Sequence, residues 1–349
     1  MTRLALDDLE TFATSVFEAV GVSAEHAGVT ASRLVEADAR GRTGHGLIRL
    51  KPYVERIRSG GVNRAPNIRI RHETPTSAQI DGDNGLGQVV MTQAAEIAID
   101  KAKASGIAWV GTVNSNHAGA AGLYPLMAAR AGLISIYFAV ANANGMAAWG
   151  GSKRLLGTNP IAIAVPSNSG STFLLDIATT VASHGSIKVF EQAGAKMPAG
   201  WVVGLDGEPI TDPSRAHEGS LMPIGGYKGS GLNIAIGLLA GAMNGAAFGA
   251  SVIDHRTELG TPTNTGQAMM VLRPDLFMPA EDALASIAAH LCELRNSGVN
   301  GAQIRLPGDH AAALERKHAE LGVPISAPLL ETLEELAGCV GVEPVWKRQ

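Results

Sequence analysis

The stretch GRTGHGLIRL, residues 41–50, sets a histidine and an arginine four places apart at the start of an apolar segment. Only Gly46, Leu47 and Ile48 separate His45 from Arg49. If the segment is helical, both side chains lie on one face, roughly 5–6 Å apart at Cβ. A guanidinium presents a planar fork that matches a carboxylate. An imidazole near its own pKa can hand a proton to a developing alkoxide. The pair therefore suits a substrate with a carboxylate beside a reducible carbon. An exposed polar pair near a helix start has the same spacing, so spacing leaves both readings open.

Three further segments can carry chemistry. VNSNHAGAAG, residues 113–122, follows one expected strand and opens an expected helix. Ligands of open α/β sheets favour that place. Ala118, Gly119, Ala120 and Ala121 have almost no side chain, so the first amides of the helix can approach an anion. His117 sits at the lip; the alternative is a tight packing turn with an ordinary surface histidine. GGYKGSG, residues 225–231, rings Lys228 with glycines but lacks the phosphate-loop order GxxxxGK[ST]. Lys228 can meet a phosphate or ribose, or simply be solvated. LLGTNPIAIAVP and LLDIATTVASHGS place small polar residues at strand ends, at Thr158–Asn159 and from Asp176 to Thr180. Asp176 can bind a ribose hydroxyl or cap a turn.

Other chemistries lack their signatures. GDNGLGQ misses the final glycine of the dinucleotide fingerprint GxGxxG. HExxH, CxxC and GxSxG are absent. His45, His117, His184, His217 and His255 are scattered with no metal-ligand spacing, so no metal is expected.

The elements that must position these residues alternate. Residues 5–39 read as two amphipathic helices, the first closed by Gly21 and the second capped by Ser23. LKPYVERIRSGGV reads as a helix ending at Gly60–Gly61, with Pro52 breaking it from the preceding turn. SAQID, IAWVGTV, LISIYFAVAN, NPIAIAVPS and TFLLDIA read as strands. Helices are expected between the first three, from GQVVMTQAAEIAIDKAKASG and AGAAGLYPLMAARAG. That order argues an α/β fold with some parallel pairing. The C-terminal part reads as helix, short strand (AQIRLPG) and further helices. The expected division is a helical part over 1–75, a mixed-sheet core over 76–280 and a C-terminal α/β segment over 281–349.

Composition narrows the classes. Of 349 residues, 46% are hydrophobic, enough for a sizeable core. The formal charge of −4 gives no reason to expect a nucleic-acid or anionic-membrane partner. Cys292 and Cys339 are too few for a disulfide framework, and the N-terminus MTRLALDDLETF turns acidic at once. Both fit a cytoplasmic protein. The charge-free stretch Gly229–Ile253, with glycines at 237, 241, 245 and 249, reads as a close-packed core helix rather than a membrane span.

Together, GHGLIRL, NSNHAGAAG, LLGTNPIAIAVP, LDIATT, GEPITDP and GGYKGSGL occur in an order that resembles the malate/L-lactate dehydrogenase family. That family includes sulfolactate, ureidoglycolate and diketogulonate oxidoreductases and reductases of cyclic imino acids. The similarity runs roughly from residue 30 to 310. It implies an α/β, non-Rossmann, mixed-sheet nicotinamide-binding fold of the L-sulfolactate dehydrogenase-like type, usually a homodimer, using NAD or NADP. By resemblance, His45 is the proton donor, Arg49 holds the substrate carboxylate and Thr158 touches substrate. His117, Ala118, Gly119, Ala120 and Ala121 contact the cofactor, and in some members the histidine matching His117 is the acid/base. Asp176, Ile177 and Ala178 line the dinucleotide site, with His184 and Lys228 close by; Arg305, Leu306, Pro307 and Gly308 form another cofactor-contacting turn.

Two positions depart from the family pattern. Gly44 stands where a serine usually precedes the histidine, and Ser186 where imine-reducing members carry an aspartate. Thr43 or a water is left to replace the lost serine. The segment around Gln267, by contrast, resembles the imine reductases. The expected function is NAD(P)-dependent hydride transfer to or from the α carbon of a small 2-oxo or 2-hydroxy acid. The alternatives are reduction of a cyclic imino acid of the Δ1-piperideine-2-carboxylate or Δ1-pyrroline-2-carboxylate type, and a non-catalytic dinucleotide- or acid-binding protein.

Overall fold

The computed structural model describes residues 2–347, except the side chains of His184 and Gln192. The chain opens with β1 (Thr2–Leu4), α1 (Leu6–Ala19) and α2 (Ala24–Ala39). Leu9, Phe12, Ala13, Val16 and Phe17 recur at helical spacing and are the buried face of α1. As expected, Gly21 turns the chain at φ +87°, and the Ser23 hydroxyl accepts from His26 N.

Residues 43–58 are not one helix. A 3₁₀ turn over Thr43–His45 is followed by Gly46, a second 3₁₀ turn over Leu47–Arg49, and then α3 (Leu50–Arg58). The expected break at Pro52 is absent. Pro52 lies in the first turn of α3, where a missing N–H costs no helical hydrogen bond. The break is at Gly46, whose Cβ position is filled by the carboxyl of Asp38.

Next come β2 (Arg69–Thr74), β3 (Ser77–Gly85), α4 (Gly87–Ser105), β4 (Ile107–Ser115), α5 (Leu123–Arg130) and β5 (Ile134–Ala139). They are followed by β6 (Met146–Ala147), β7 (Arg154–Leu156), β8 (Ile161–Pro166), β9 (Thr172–Ile177) and α6 (His184–Gln192). Then come β10 (Val202–Val203), β11 (Pro209–Ile210), β12 (Ser220–Leu221) and α7 (Tyr227–Ala240). The chain closes with β13 (Gln267–Leu272), α8 (Ala280–Arg295), α9 (Asp309–Leu321), β14 (Val323–Ile325) and α10 (Ala327–Val340).

The main sheet runs β2-β3-β4-β13-β5-β8-β9. It is mixed, as expected, but parallel pairing within it is confined to β3 and β4, the two strands that α4 connects. The fully buried Ala94, Ala95, Ala98 and Ala102 of α4 join one core cluster with Ile80, Val110 and Met269 of the sheet. A smaller sheet, β11-β10-β12-β6-β7, lies apart from it. β1 pairs with β14, and α1, α2, α3 and α10 share a cluster that contains Phe12, Leu34, Leu50 and Leu333.

Three more expectations change. The helix read from AGAAGLYPLMAARAG starts only at Leu123. AQIRLPG is not a strand; the short C-terminal strand is β14, after α9. The charge-free stretch is not one helix: α7 ends at Ala240, and Gly245 and Gly249 adopt positive φ in the turns beyond. Among the described residues no helix is long and apolar enough to cross a membrane.

Candidate active site

His45 closes its 3₁₀ turn with its ring 5.7 Å from that of His117, the planes tilted by 9°. His117 follows β4, the strand that lies between β3 and β13. The His117 ring also stacks on that of His255, again at 5.7 Å, with a tilt of 29°. His255 lies in the long loop between α7 and β13. Arg49 stands beside this column, and its charge bears on all three rings. Its Nε donates to Gly44 O at 2.7 Å, which leaves the two terminal amino groups for an acid. The proposed pair is thus joined across a broken backbone, with Gly46 as the hinge, rather than along a helix face.

Burial pushes His45 down to about 4, helped by Arg49 and Arg42. Burial likewise holds His117 well below the usual imidazole range, with Arg49, His255 and His45 adding to the effect. His255 also falls to about 4, mainly by burial, against a hydrogen bond to Asn142 O that favours its proton. All three rings are therefore neutral at pH 7 in the free protein.

Hydrogen bonds fix the tautomers. Gly119 N–H donates to His117 Nδ1 at 3.3 Å, so Nδ1 is an acceptor. Tyr53 Oη, 2.6 Å away, then donates to the same atom, and its oxygen accepts from Gln88 Nε2 at 3.0 Å. Neutral His117 carries its proton on Nε2. Burial raises Tyr53 to about 12, so it stays a donor at any working pH. His255 Nδ1 lies 2.9 Å from Asn142 O and must carry a proton there.

A second group adjoins the first. Ala118 to Ala121 form a turn in which Gly119 has φ +75° and a Cβ there would press on the Gln88 amide. Behind it, Gly122 N–H donates to Asp176 at the end of β9. Burial raises the carboxyl of Asp176, against the pull of Arg42. Arg42 reaches Asp176 Oδ2 at 3.7 Å and its backbone oxygen at 3.4 Å. Residues 42–45, 117–122 and 176 thereby form one continuous wall. Ile177 and Ala178 are half-buried next to it.

The family model described as malate/L-lactate dehydrogenase matches residues 4–334. This chain belongs to the malate/L-lactate dehydrogenase family. A malate dehydrogenase of Pyrococcus horikoshii is 38% identical over 98% of this chain and 96% of its own. The solved sulfolactate dehydrogenase of Methanocaldococcus jannaschii superposes with a TM-score of 0.89 at 36% identity, covering 98% of each chain. The Δ1-piperideine-2-carboxylate reductase of Pseudomonas syringae pv. tomato superposes with a TM-score of 0.87 at 29% identity, over 97% of this chain and 100% of its own. The protein is an oxidoreductase of this family, and the family's cofactor is a nicotinamide dinucleotide.

The residues present fit such a cofactor. The turn at 118–121 carries almost no side chain and is half-buried at Gly119, and the buried Gln88 Oε1 beside it has no hydrogen-bond partner among the described residues. The turn Arg305–Gly308 docks on β9 through Leu174 N to Pro307 O at 3.0 Å, with Gly308 at φ +97°. Lys228 is exposed in the first turn of α7 and shares no hydrogen bond or ion pair with the histidine group. Thr158 belongs to another knot: its backbone oxygen accepts from Thr179, whose hydroxyl accepts from Asn233 of α7. The side chain of His184 lies outside the described part.

The departures from the family pattern have visible consequences. Ser186 pairs with Ser183 at 3.0 Å and helps start α6. Gly44 supplies only its carbonyl, to Arg49, and Thr43 is exposed. Gln267 binds Thr112 Oγ1 at 2.6 Å inside the sheet, which makes it a strand-to-strand link. The orienting partner in the histidine group is Tyr53 instead.

Tyr53, Gln88, His255 and Arg42 were not singled out from the sequence. Tyr53 had a signal, since it follows Arg49 by four residues and shares the buried face of α3 with Leu50, Val54 and Ile57. His255 had none.

Proposed function

We propose that this enzyme transfers a hydride between a nicotinamide cofactor and the α carbon of a small 2-oxo or 2-hydroxy acid. The observation that carries the reading is the column of neutral imidazoles beside one arginine whose terminal amino groups have no partner among the described residues. A carboxylate on Arg49 would neutralise a charge that adds to burial in disfavouring protonation of the rings. Anionic substrate and catalytic proton would then arrive together. The bound cofactor supplies or accepts the hydride. His45, whose ring nitrogens have no hydrogen-bond partner among the described residues, gives the proton to the forming alkoxide. His117, anchored by Tyr53 and Gly119, turns its Nε2–H toward the carbonyl oxygen. In the oxidative direction neutral His45 is ready as a base at pH 7.

Ala118 to Ala121, Asp176 to Ala178, Lys228 and the turn Arg305–Gly308 are proposed to contact NAD or NADP, His184 is carried with them by resemblance, and Thr158 is proposed to touch substrate. A second reading is favoured by the missing serine–histidine–aspartate relay. A protonated cyclic imine beside a carboxylate needs no proton delivered to its nitrogen, so Gly44 and Ser186 are tolerated. The test is nicotinamide absorbance with both cofactors against keto acids, hydroxy acids and five- and six-membered cyclic imines. Turnover of 2-oxo acids that collapses in His45→Ala supports the first reading. Turnover restricted to imines replaces it with the second.

A homodimer is proposed on the outer face of α7, where Leu232, Leu238 and the following Met243 are exposed without a charged neighbour between them. The exposed thiols of Cys292 and Cys339 suit the reducing cytoplasm. Sedimentation velocity tests the dimer.

A further inference from the structure

His255 has no role in the reading above, yet it is built into the site. Its Nδ1 and backbone N–H both point at Asn142 O, at 2.9 and 3.0 Å. The Asn142 side chain is itself held by Thr265 Oγ1 at 2.6 Å. The backbone oxygen of His255 accepts from Arg56 at 3.0 Å. That guanidinium, 4% exposed, also donates to Glu258 O, Thr261 O, Gly61 O and Asn116 Oδ1. One arginine therefore ties α3, which carries Tyr53, to the residue before His117 and to the His255 loop. The loop holds the ring in place, and its only unengaged nitrogen is Nε2.

We propose that His255 is a positioning residue of the acid–base group: stacked on His117, which is stacked on His45, it completes a column of three imidazoles that accepts one proton and not two. This rests on the reading of the histidine–arginine group as the proton-handling site. The argument is Coulombic. Two imidazolium charges 5.7 Å apart, with Arg49 beside both, repel strongly in a partly dry site. The charged and titratable groups facing the column are few. Arg42 and Arg49 act from the His45 side, Tyr53 and Arg56 from α3, and Asp254 from the His255 loop. Asp254 is paired with Arg256 and offsets little of that positive field. As pH falls toward about 4, the proton that His255 takes up, favoured by Asn142 O, keeps His117 neutral. His255 acts through His117 by setting how readily that ring charges.

The experiment is an NMR titration of the histidine rings in the free enzyme, with the pH profile of kcat/KM for hydroxy-acid oxidation alongside. Two variants are used. His255→Phe keeps a stacked ring without a proton site. His255→Asn keeps a donor for Asn142 O without the ring, and decides the matter if the phenylalanine variant does not fold. The expected result is that the His117 titration moves up by about one pH unit or more in the folded variants. The acidic limb of kcat/KM moves with it, while the melting temperature of His255→Asn stays near that of the wild type. A His117 titration that stays where it is in either folded variant overturns the proposal; His255→Phe keeps the ring that buries His117, so a rise in that variant reports the lost charge rather than lost burial. The titration uses no substrate, so it stands apart from the substrate reading: binding of no acid or imine at all would sink that reading and leave this measurement intact.

Discussion

Tyr53 Oη lies 2.6 Å from His117 Nδ1 and takes a hydrogen bond from Gln88 at 3.0 Å, so one phenol orients the imidazole at the centre of the site. Removing that oxygen leaves Nδ1 to Gly119 alone and strands the buried Gln88 amide. A lost hydrogen bond of this kind is worth about 1–1.5 kcal/mol, or roughly tenfold in rate if it acts in the transition state. Tyr53→Phe should therefore lower kcat about tenfold or more and leave KM for the acid close to its wild-type value. Steady-state kinetics at saturating cofactor check this. An unchanged kcat would reduce Tyr53 to a packing residue.

Arg49 anchors its Nε on Gly44 O and turns its two terminal nitrogens outward. A lysine at this position loses both the anchor and the planar fork, but keeps the charge. Arg49→Lys should raise KM for the carboxylate about tenfold or more, since each tenfold is about 1.4 kcal/mol of binding. The depressed titrations of the three histidines should change little, because the positive charge remains. A KM equal to that of the wild type would place the carboxylate elsewhere.

The legible parts of this molecule are those set by local pattern. Helices α1, α2 and α4 follow from apolar spacing and caps, and His45, Arg49 and His117 from residue chemistry. Three things were hidden. The geometry of residues 43–49 depends on Asp38 filling the space beside Gly46, a contact between elements. The turn 118–121 reads as helix because alanine favours one, but Gly119 takes a positive φ and the Tyr53–His117–Gly119 contacts hold the segment open. Strand β13 comes from far along the chain to fit between β4 and β5, and His255 reaches the site in the loop before it. Such long-range partners leave no mark on local sequence. The two-residue strands of the small sheet are too short for any alternation to show.

Asp38 is 2% exposed and accepts from Leu47 N at 2.7 Å, and burial raises its carboxyl to about 7. The ordinary value is 3.8, so between about pH 4 and 7 the folded chain holds a proton that the unfolded chain has lost. The contribution of this group to stability therefore falls as pH rises through that window and is flat above it. Asp38→Asn keeps an oxygen for Leu47 N–H but removes the ionisation. Relative to the wild type, its melting temperature should rise more at about pH 8 than at about pH 4.5. Thermal melts across that range check the sign. A difference independent of pH would mean that Asp38 keeps an ordinary carboxyl.

Gly46 is the hinge between the His45 and Arg49 turns, and a Cβ there would overlap the Asp38 carboxyl. That carboxyl is held by Leu47 N and surrounded by core, so it has little room to give. Gly46→Ala should destabilise the chain by about 1–3 kcal/mol or more through overpacking. It should also lower kcat/KM by shifting His45 relative to Arg49. If the clash with Asp38 is the cause, shortening that side chain restores space. The double variant Asp38→Ala/Gly46→Ala should then be less destabilised than the sum of the two single changes, by roughly 0.5–3 kcal/mol of coupling. Denaturant unfolding of the four proteins measures that coupling. Simple additivity would show that glycine is needed at 46 for its own backbone conformation and not to make room for the aspartate.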